Sequence, residues 1–117
     1  MGQIWSEQRK LEAWKEVEVL ALEAWERLGK VPPGVAATTR QAKCPTPQEV
    51  TDREAVTNHD LAAFVDILGS NSGDEAAGWV HYGLTSSDVL DTAGGLILSD
   101  SADLLLEALS ELFETVK

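Results

Sequence analysis

Basic residues are scarce in this chain: nine Lys and Arg stand against twenty Asp and Glu, for a net charge of −11. A basic stripe supplies most of the affinity for nucleic acid or an anionic membrane. The chain has neither a basic run nor aromatic residues interleaved with basic ones, so both partners are excluded. Its acids are spread along helical faces, the pattern of a solvated surface. Cysteine is down to one, Cys44 in the turn-like Ala42-Lys43-Cys44-Pro45. No internal disulfide can form, and no second cysteine stands at metal-ligand spacing, so Cys44 reads as an incidental reduced thiol. No apolar run approaches the ~18–20 residues of a membrane span. Residues 1–15 lack a signal peptide's apolar core, and a cytoplasmic location is expected. Missing too are HExxH, a glycine-rich phosphate loop and G-x-S-x-G. Neither metal nor cofactor is expected. The length of 117 residues permits one modest core at most.

What is present is helical periodicity. Nothing reads as a strand, nothing repeats, and the class is all-α. Residues 6–28 predict a helix with Ser6 as N-cap, Glu7 in its first turn and Gly29 just past its end. Leu11, Trp14, Val17, Ala21, Ala24, Trp25 and Leu28 form its apolar stripe. Trp5, Trp14 and Trp25 are expected in the core rather than in a ligand-stacking box. A short helix follows over Val35–Gln41. Thr46-Pro47-Gln48-Glu49 then has the form of a capping box with proline at N1, opening a helix that reaches about Val56. Asn58 or Asp60 opens another, burying Leu61, Phe64, Val65 and Leu68. It is expected to stop near Gly69, because Gly69-Ser70-Asn71-Ser72-Gly73 has loop composition. One helical turn fits Asp74 to Gly78.

The rest of the chain is organised around His81-Tyr82-Gly83-Leu84-Thr85-Ser86-Ser87-Asp88. Three adjacent hydroxyls and an acid precede the longest periodic segment, from Ser86 or Ser87 to Lys117. Such side chains cap a helix, and the first turn they decorate is also an anion site. A redundant cap and a carboxylate or phosphate site both fit the spacing. The segment itself, with Leu105, Leu109, Leu112 and Val116 at helical steps, is too long and too apolar for so small a domain to cover. Gly94-Gly95 weakens it locally and suits close approach of a neighbouring helix.

Trp79 to Ala93 closely resembles the first signature region of the adenylosuccinate lyase family, within the fumarase/aspartase superfamily. Ile4-Trp5-Ser6 with Ala13 to Glu18 and Glu23-Ala24-Trp25 resembles its first long helix, and Thr57-Asn58-His59-Asp60 its T-x-H-D segment. The resemblance implies an N-terminal helical domain over residues 1–84 and, over 85–117, the start of the first long helix of a central bundle. It implies C–N β-elimination of fumarate from adenylosuccinate, giving AMP, and from SAICAR, giving AICAR. By the family pattern Thr85 and Ser86 bind the succinyl carboxylates. Asn58, His59 and Asp60 contact substrate, with His59 near the leaving nitrogen, where it orients the substrate or assists the acid. His81 lies near the phosphate, while Asp88 and Asp91 are capping and helix-surface acids.

Two departures accompany the match. The family's Arg-Tyr pair near the start is absent from Met1-Gly2-Gln3-Ile4, and the chain reaches Lys117 before the family's general-acid histidine and serine base. No turnover is expected from these residues alone. The family implies a homotetramer whose active sites each draw on three subunits, hence self-association. The rival expectation is a non-catalytic helical interaction module pairing through its C-terminal helix. Asn58-His59-Asp60 together with the His81–Asp88 run favours the lyase, because a docking helix requires neither.

Overall fold

The computed structural model describes residues 1–117, Met1–Lys117, as six α-helices and no strand. They are α1 (Glu7–Arg27), α2 (Val35–Gln41), α3 (Pro47–Thr57), α4 (Asp60–Ser72), α5 (Asp74–Ala77) and α6 (Ser86–Val116). Their boundaries follow local chemistry. Ser6 is extended, and its Oγ accepts the Arg9 N–H at 3.1 Å to open α1. At the other end Gly29 takes φ +68°, and the Lys30 N–H returns to the Trp25 carbonyl at 2.9 Å. This is a Schellman closure, which a residue with a Cβ resists. Thr46 and Glu49 close the expected capping box on α3, the Glu49 carboxylate accepting the Thr46 N–H at 2.8 Å.

The main core joins Leu11 and Trp14 of α1, Val50 of α3, Leu61, Phe64 and Leu68 of α4, and Val89, Ala93 and Ile97 of α6. Trp14 and Phe64 meet edge to face, with centroids 5.4 Å apart. A smaller cluster gathers Leu22, Val31, Val35, Ala36 and Ala76, with Trp25 and Trp79 against it. On the outside, Arg9 of α1 holds Asp100 of α6 at 2.7 Å. Lys15 donates to the carbonyls of Arg40 and Ala42, which α2 leaves unpaired at its end.

Three expectations are corrected. Helix α4 does not stop at Gly69 but runs on to Ser72 and ends at Gly73, with φ +90°. Gly69 is buried against Ala77, and a Cβ there would meet it at 3.6 Å. Ser70 and Ser72 give their hydroxyls to the carbonyls of Asp66 and Leu68, so the loop-forming side chains are turned back onto the helix. Trp5 is not core: 55% of it is exposed. It stands at the mouth of a hollow of about 240 Å³ with Trp14, Leu90, Gly94 and Ile97. Gly94 and Gly95 have open space where a Cβ would sit, so the neighbouring helix they are expected to admit is not one of these six. Leu28, at the end of the α1 stripe, is also exposed.

With 31 residues, α6 is a rod of about 46 Å. Its first half is packed on α1, and every residue after Ser101 is exposed, including Leu105, Leu109, Leu112 and Val116. No helix is long and apolar enough to cross a membrane.

Candidate functional site

Between α5 and α6 the chain makes a tight loop that begins by plugging the core with the buried Val80. His81 then takes φ +69°, a left-handed conformation that is costly for a residue with a Cβ. Two bonds to one residue hold it there. Its backbone N–H donates to Glu18 Oε2 at 2.9 Å, and its ring Nδ1 lies 2.6 Å from Glu18 Oε1. Glu18 is completely buried in the apolar face of α1. Burial pushes its carboxyl above the usual range, and the hydrogen bonds and charge of His81 oppose that rise.

The loop then passes Tyr82 and Gly83. The Tyr82 carbonyl accepts the Trp25 indole N–H at 3.0 Å, and the Tyr82 ring stands edge-on to Trp25 and Trp79, both at 5.3 Å. Gly83 has φ +71°, and a Cβ there would fall 2.8 Å from Trp25 Cζ2. Gly83→Ala therefore meets both backbone strain and a ring that is already tethered. It is expected to cost about 2 kcal/mol, read as a lowered urea midpoint with an unchanged slope.

His59 comes from the joint between α3 and α4. Asn58 ends α3 in the left-handed region, φ 54°, and His59, extended at φ −153°, is the N-cap of α4. The His59 Nδ1 accepts the Ala62 N–H at 3.3 Å, in the role usually filled by Ser, Thr or Asp. The Asp60 carboxylate lies 3.6 Å from the same nitrogen, beyond hydrogen-bonding distance. It instead accepts the Leu61 N–H at 2.7 Å. With Nδ1 accepting, the proton of the neutral ring is on Nε2. That atom lies 3.4 Å from Ser86 Oγ, a long contact spanning the gap between two helix starts.

The hydroxyls before α6 divide. Thr85 donates both its N–H and its Oγ–H to Asp88, at 2.8 and 3.0 Å. Those bonds hold the Asp88 carboxyl below its usual range. The Thr85 hydroxyl and Asp88 thus serve the cap. Ser86 faces His59. Asp88 also sets a negative charge beside the anion-attracting first turn, so any anion held there has to come in on the Ser86 side.

Of the six residues singled out in the sequence, the structure brings His59, His81 and Ser86 to one hollow of about 340 Å³. Its other walls are Leu61, Ala62, Val65 and Asp66. Asn58 and Thr85 are outside these walls, and Asp60 lines a different hollow with Lys10 and Trp14. The walls on α4 were within reach of sequence reasoning, because 59, 62 and 66 share one face of a helix. Glu18 gave no such signal. No group of three His, Cys, Asp or Glu side chains is placed to hold a metal. Burial raises the Cys44 thiol above its ordinary range.

No family model matches the chain. Over 117 residues, its whole length, it is 38% identical to the adenylosuccinate lyase of Bacillus subtilis and covers 27% of that protein. It is 42% identical over 111 residues, 95% of the chain, to the adenylosuccinate lyase of Thermotoga maritima, covering 26% of it. The adenylosuccinate lyase of Aquifex aeolicus is 33% identical over 120 residues, with 27% covered. Among solved structures, the fumarate lyase from Mesorhizobium sp. BNC1 superposes with a TM-score of 0.79 at 27% identity. The match takes in 88% of this chain and 25% of that one. The chain spans about a quarter of the length of the relatives it matches.

Proposed function

We infer, from a chain that matches adenylosuccinate lyases along its whole length and carries the helical fold of the fumarase/aspartase superfamily, that these residues are the substrate-holding part of a C–N lyase. The substrates of that reading are adenylosuccinate and SAICAR, and the products are fumarate with AMP or AICAR. The observation that carries it is the meeting of His59 Nε2 and Ser86 Oγ, 3.4 Å apart, in a hollow that His81 also lines. Two helix starts and a loop far apart in sequence converge there.

The reaction explains the need for such groups. A base takes the proton next to a carboxylate, and its electron pair builds negative charge on that carboxylate. The pair then forms the C=C bond of fumarate as the C–N bond breaks and the nitrogen is reprotonated. Donors fixed on the carboxylate stabilise the charge as it grows. Ser86, at the positive end of α6, is the donor suited to this. Thr85, whose proton is committed to Asp88, takes the smaller share and holds the turn in shape. The Nε2–H of His59 serves a second oxygen or the leaving nitrogen, with Asn58 and Asp60 shaping its joint. His81 meets the phosphate.

The ionisable walls of the hollow are His59, His81 and Asp66, and neither the general-acid histidine nor the serine base expected from the family is among the residues it gathers. The 117 residues are accordingly proposed to be inactive alone. The test is a graft: this segment replaces the matching quarter of the Bacillus subtilis enzyme. Fumarate release is expected to be retained, and Ser86→Ala in the graft to lower kcat/KM by about ten-fold or more. Unchanged kinetics would remove Ser86 from the carboxylate site. A folded graft without activity would overturn the lyase reading.

The exposed seam of α6 supports self-association, in line with the tetramer implied for the family. A contiguous apolar face of this kind is seldom left in water. Light scattering on the isolated chain is expected to give a mass above 12.6 kDa. A monodisperse monomer at tens of micromolar would rule that out.

A further inference from the structure

We propose that Glu18 is the positioning residue of the hollow: it holds the His81 imidazole with Nδ1 turned into the protein and leaves Nε2 to face whatever the hollow binds. What Nε2 does there rests on the lyase reading; how the ring is held rests on contacts within this chain alone. Glu18 occupies a place in the α1 stripe, between Trp14 and Leu22, where an apolar side chain would pack without penalty. Both of its oxygens are engaged, and both by one residue of a distant loop, at 2.9 Å to the backbone N–H and 2.6 Å to Nδ1. A packing role requires neither bond. Two bonds to His81 fix two different things: the backbone contact holds the left-handed turn, and the ring contact sets the orientation of the imidazole.

The chemistry follows from what a carboxylate can do. Ionised, it only accepts, so Nδ1 carries a proton whether the ring is neutral or charged. The other nitrogen is then an acceptor in the neutral ring and a donor in the charged one. A buried carboxylate behind an imidazole is how such a ring is kept in one tautomer and one orientation. The other charged or titratable groups facing His81 come from two further elements: Asp88 of α6, and His59 and Asp66 of the α4 wall. None of them bonds to Nδ1.

Glu18→Gln separates positioning from packing, because volume is kept while one acceptor becomes a donor. The glutamine oxygen takes the His81 N–H, its amide N–H faces Nδ1, and the ring proton moves to Nε2. The chain has two histidines, so a long-range 1H–15N spectrum of the 15N-histidine-labelled protein is assigned with His59→Gln alone. At alkaline pH, where an imidazole is neutral, His81 is expected almost wholly in the Nδ1–H form. In Glu18→Gln that form should fall to a minority while the far-UV circular dichroism stays the same. An Nε2–H ring in the native chain, or a tautomer unmoved by the substitution, would overturn the proposal. Should Glu18→Gln fail to fold, the native spectrum decides between these outcomes by itself. No substrate is present in this measurement, so its result stands apart from the success or failure of the graft.

Discussion

Replacing His81 with alanine is expected to lower the unfolding free energy by about 3–5 kcal/mol at neutral pH, the range for stranding one member of a buried charged pair. The residue lost is a loop histidine only a quarter exposed; the residue harmed is Glu18, which keeps its burial and its bond from the backbone N–H but loses the imidazole against its other oxygen. The pH dependence distinguishes this from simple loss of contact. In the native chain the Glu18 carboxyl is already above its ordinary value of 4.5, because burial outweighs the bonds and charge supplied by His81. A raised value means that the folded chain holds the proton more tightly than the unfolded one. Between 4.5 and the raised value, stability therefore falls as pH rises and is regained as pH falls. Removing the imidazole deletes its hydrogen bond and its charge and leaves only the backbone N–H at position 81 to draw the carboxyl down, so the window extends further upward. The gap between native and variant, measured by urea unfolding, should be widest near pH 7 and narrow toward about pH 4.5. A gap of constant size would mean that lost contacts, not a stranded charge, set the cost.

Phe64→Ala should do as much damage at every pH. Phe64 is fully buried at the centre of the main core, edge-on to Trp14, where α1, α3, α4 and α6 meet. Truncating a ring in such a place costs about 3–5 kcal/mol, part lost transfer and part cavity. A single domain has only about 5–15 kcal/mol in hand, so a large share of the chain's stability should go with the ring. Urea unfolding followed by Trp fluorescence measures it. Phe64→Leu, which refills much of the space, should recover more than half of the loss. A small effect of Phe64→Ala would mean that the helices collapse onto the gap.

How much of this was readable from sequence depends on the range of the interaction. The Schellman closure at Gly29 and the capping box at Thr46 and Glu49 are built from neighbours, so their residues announce them. Helix α4 outran its sequence signal because the burial of Gly69 against Ala77 is tertiary, and it overrode the loop preference of Gly-Ser-Asn-Ser-Gly. The exposure of Trp5 has the same origin: its place relative to α6 is set by packing of distant segments. Of the candidate site, His59, His81 and Ser86 were legible and do converge. The split between Thr85 and Ser86 was not, since it turns on which oxygen Asp88 reaches. Least visible was Glu18: an acid in an amphipathic helix looks like surface, and its partner is 63 positions away.

The two halves of α6 answer to different neighbours. Up to Ser101 the helix is sealed by Val89, Ala93 and Ile97 and clamped outside by Arg9 and Asp100. Beyond it the backbone is guarded by nothing but its own turns, and a free helix of about that length is marginal in water. At dilutions where the seam is unpaired, fraying that starts at Lys117 should run inward freely and halt at the clamp. Deuterium entering the amides of this one continuous helix would then trace a step rather than a slope, marking where the fold ends and an unclaimed half-rod begins.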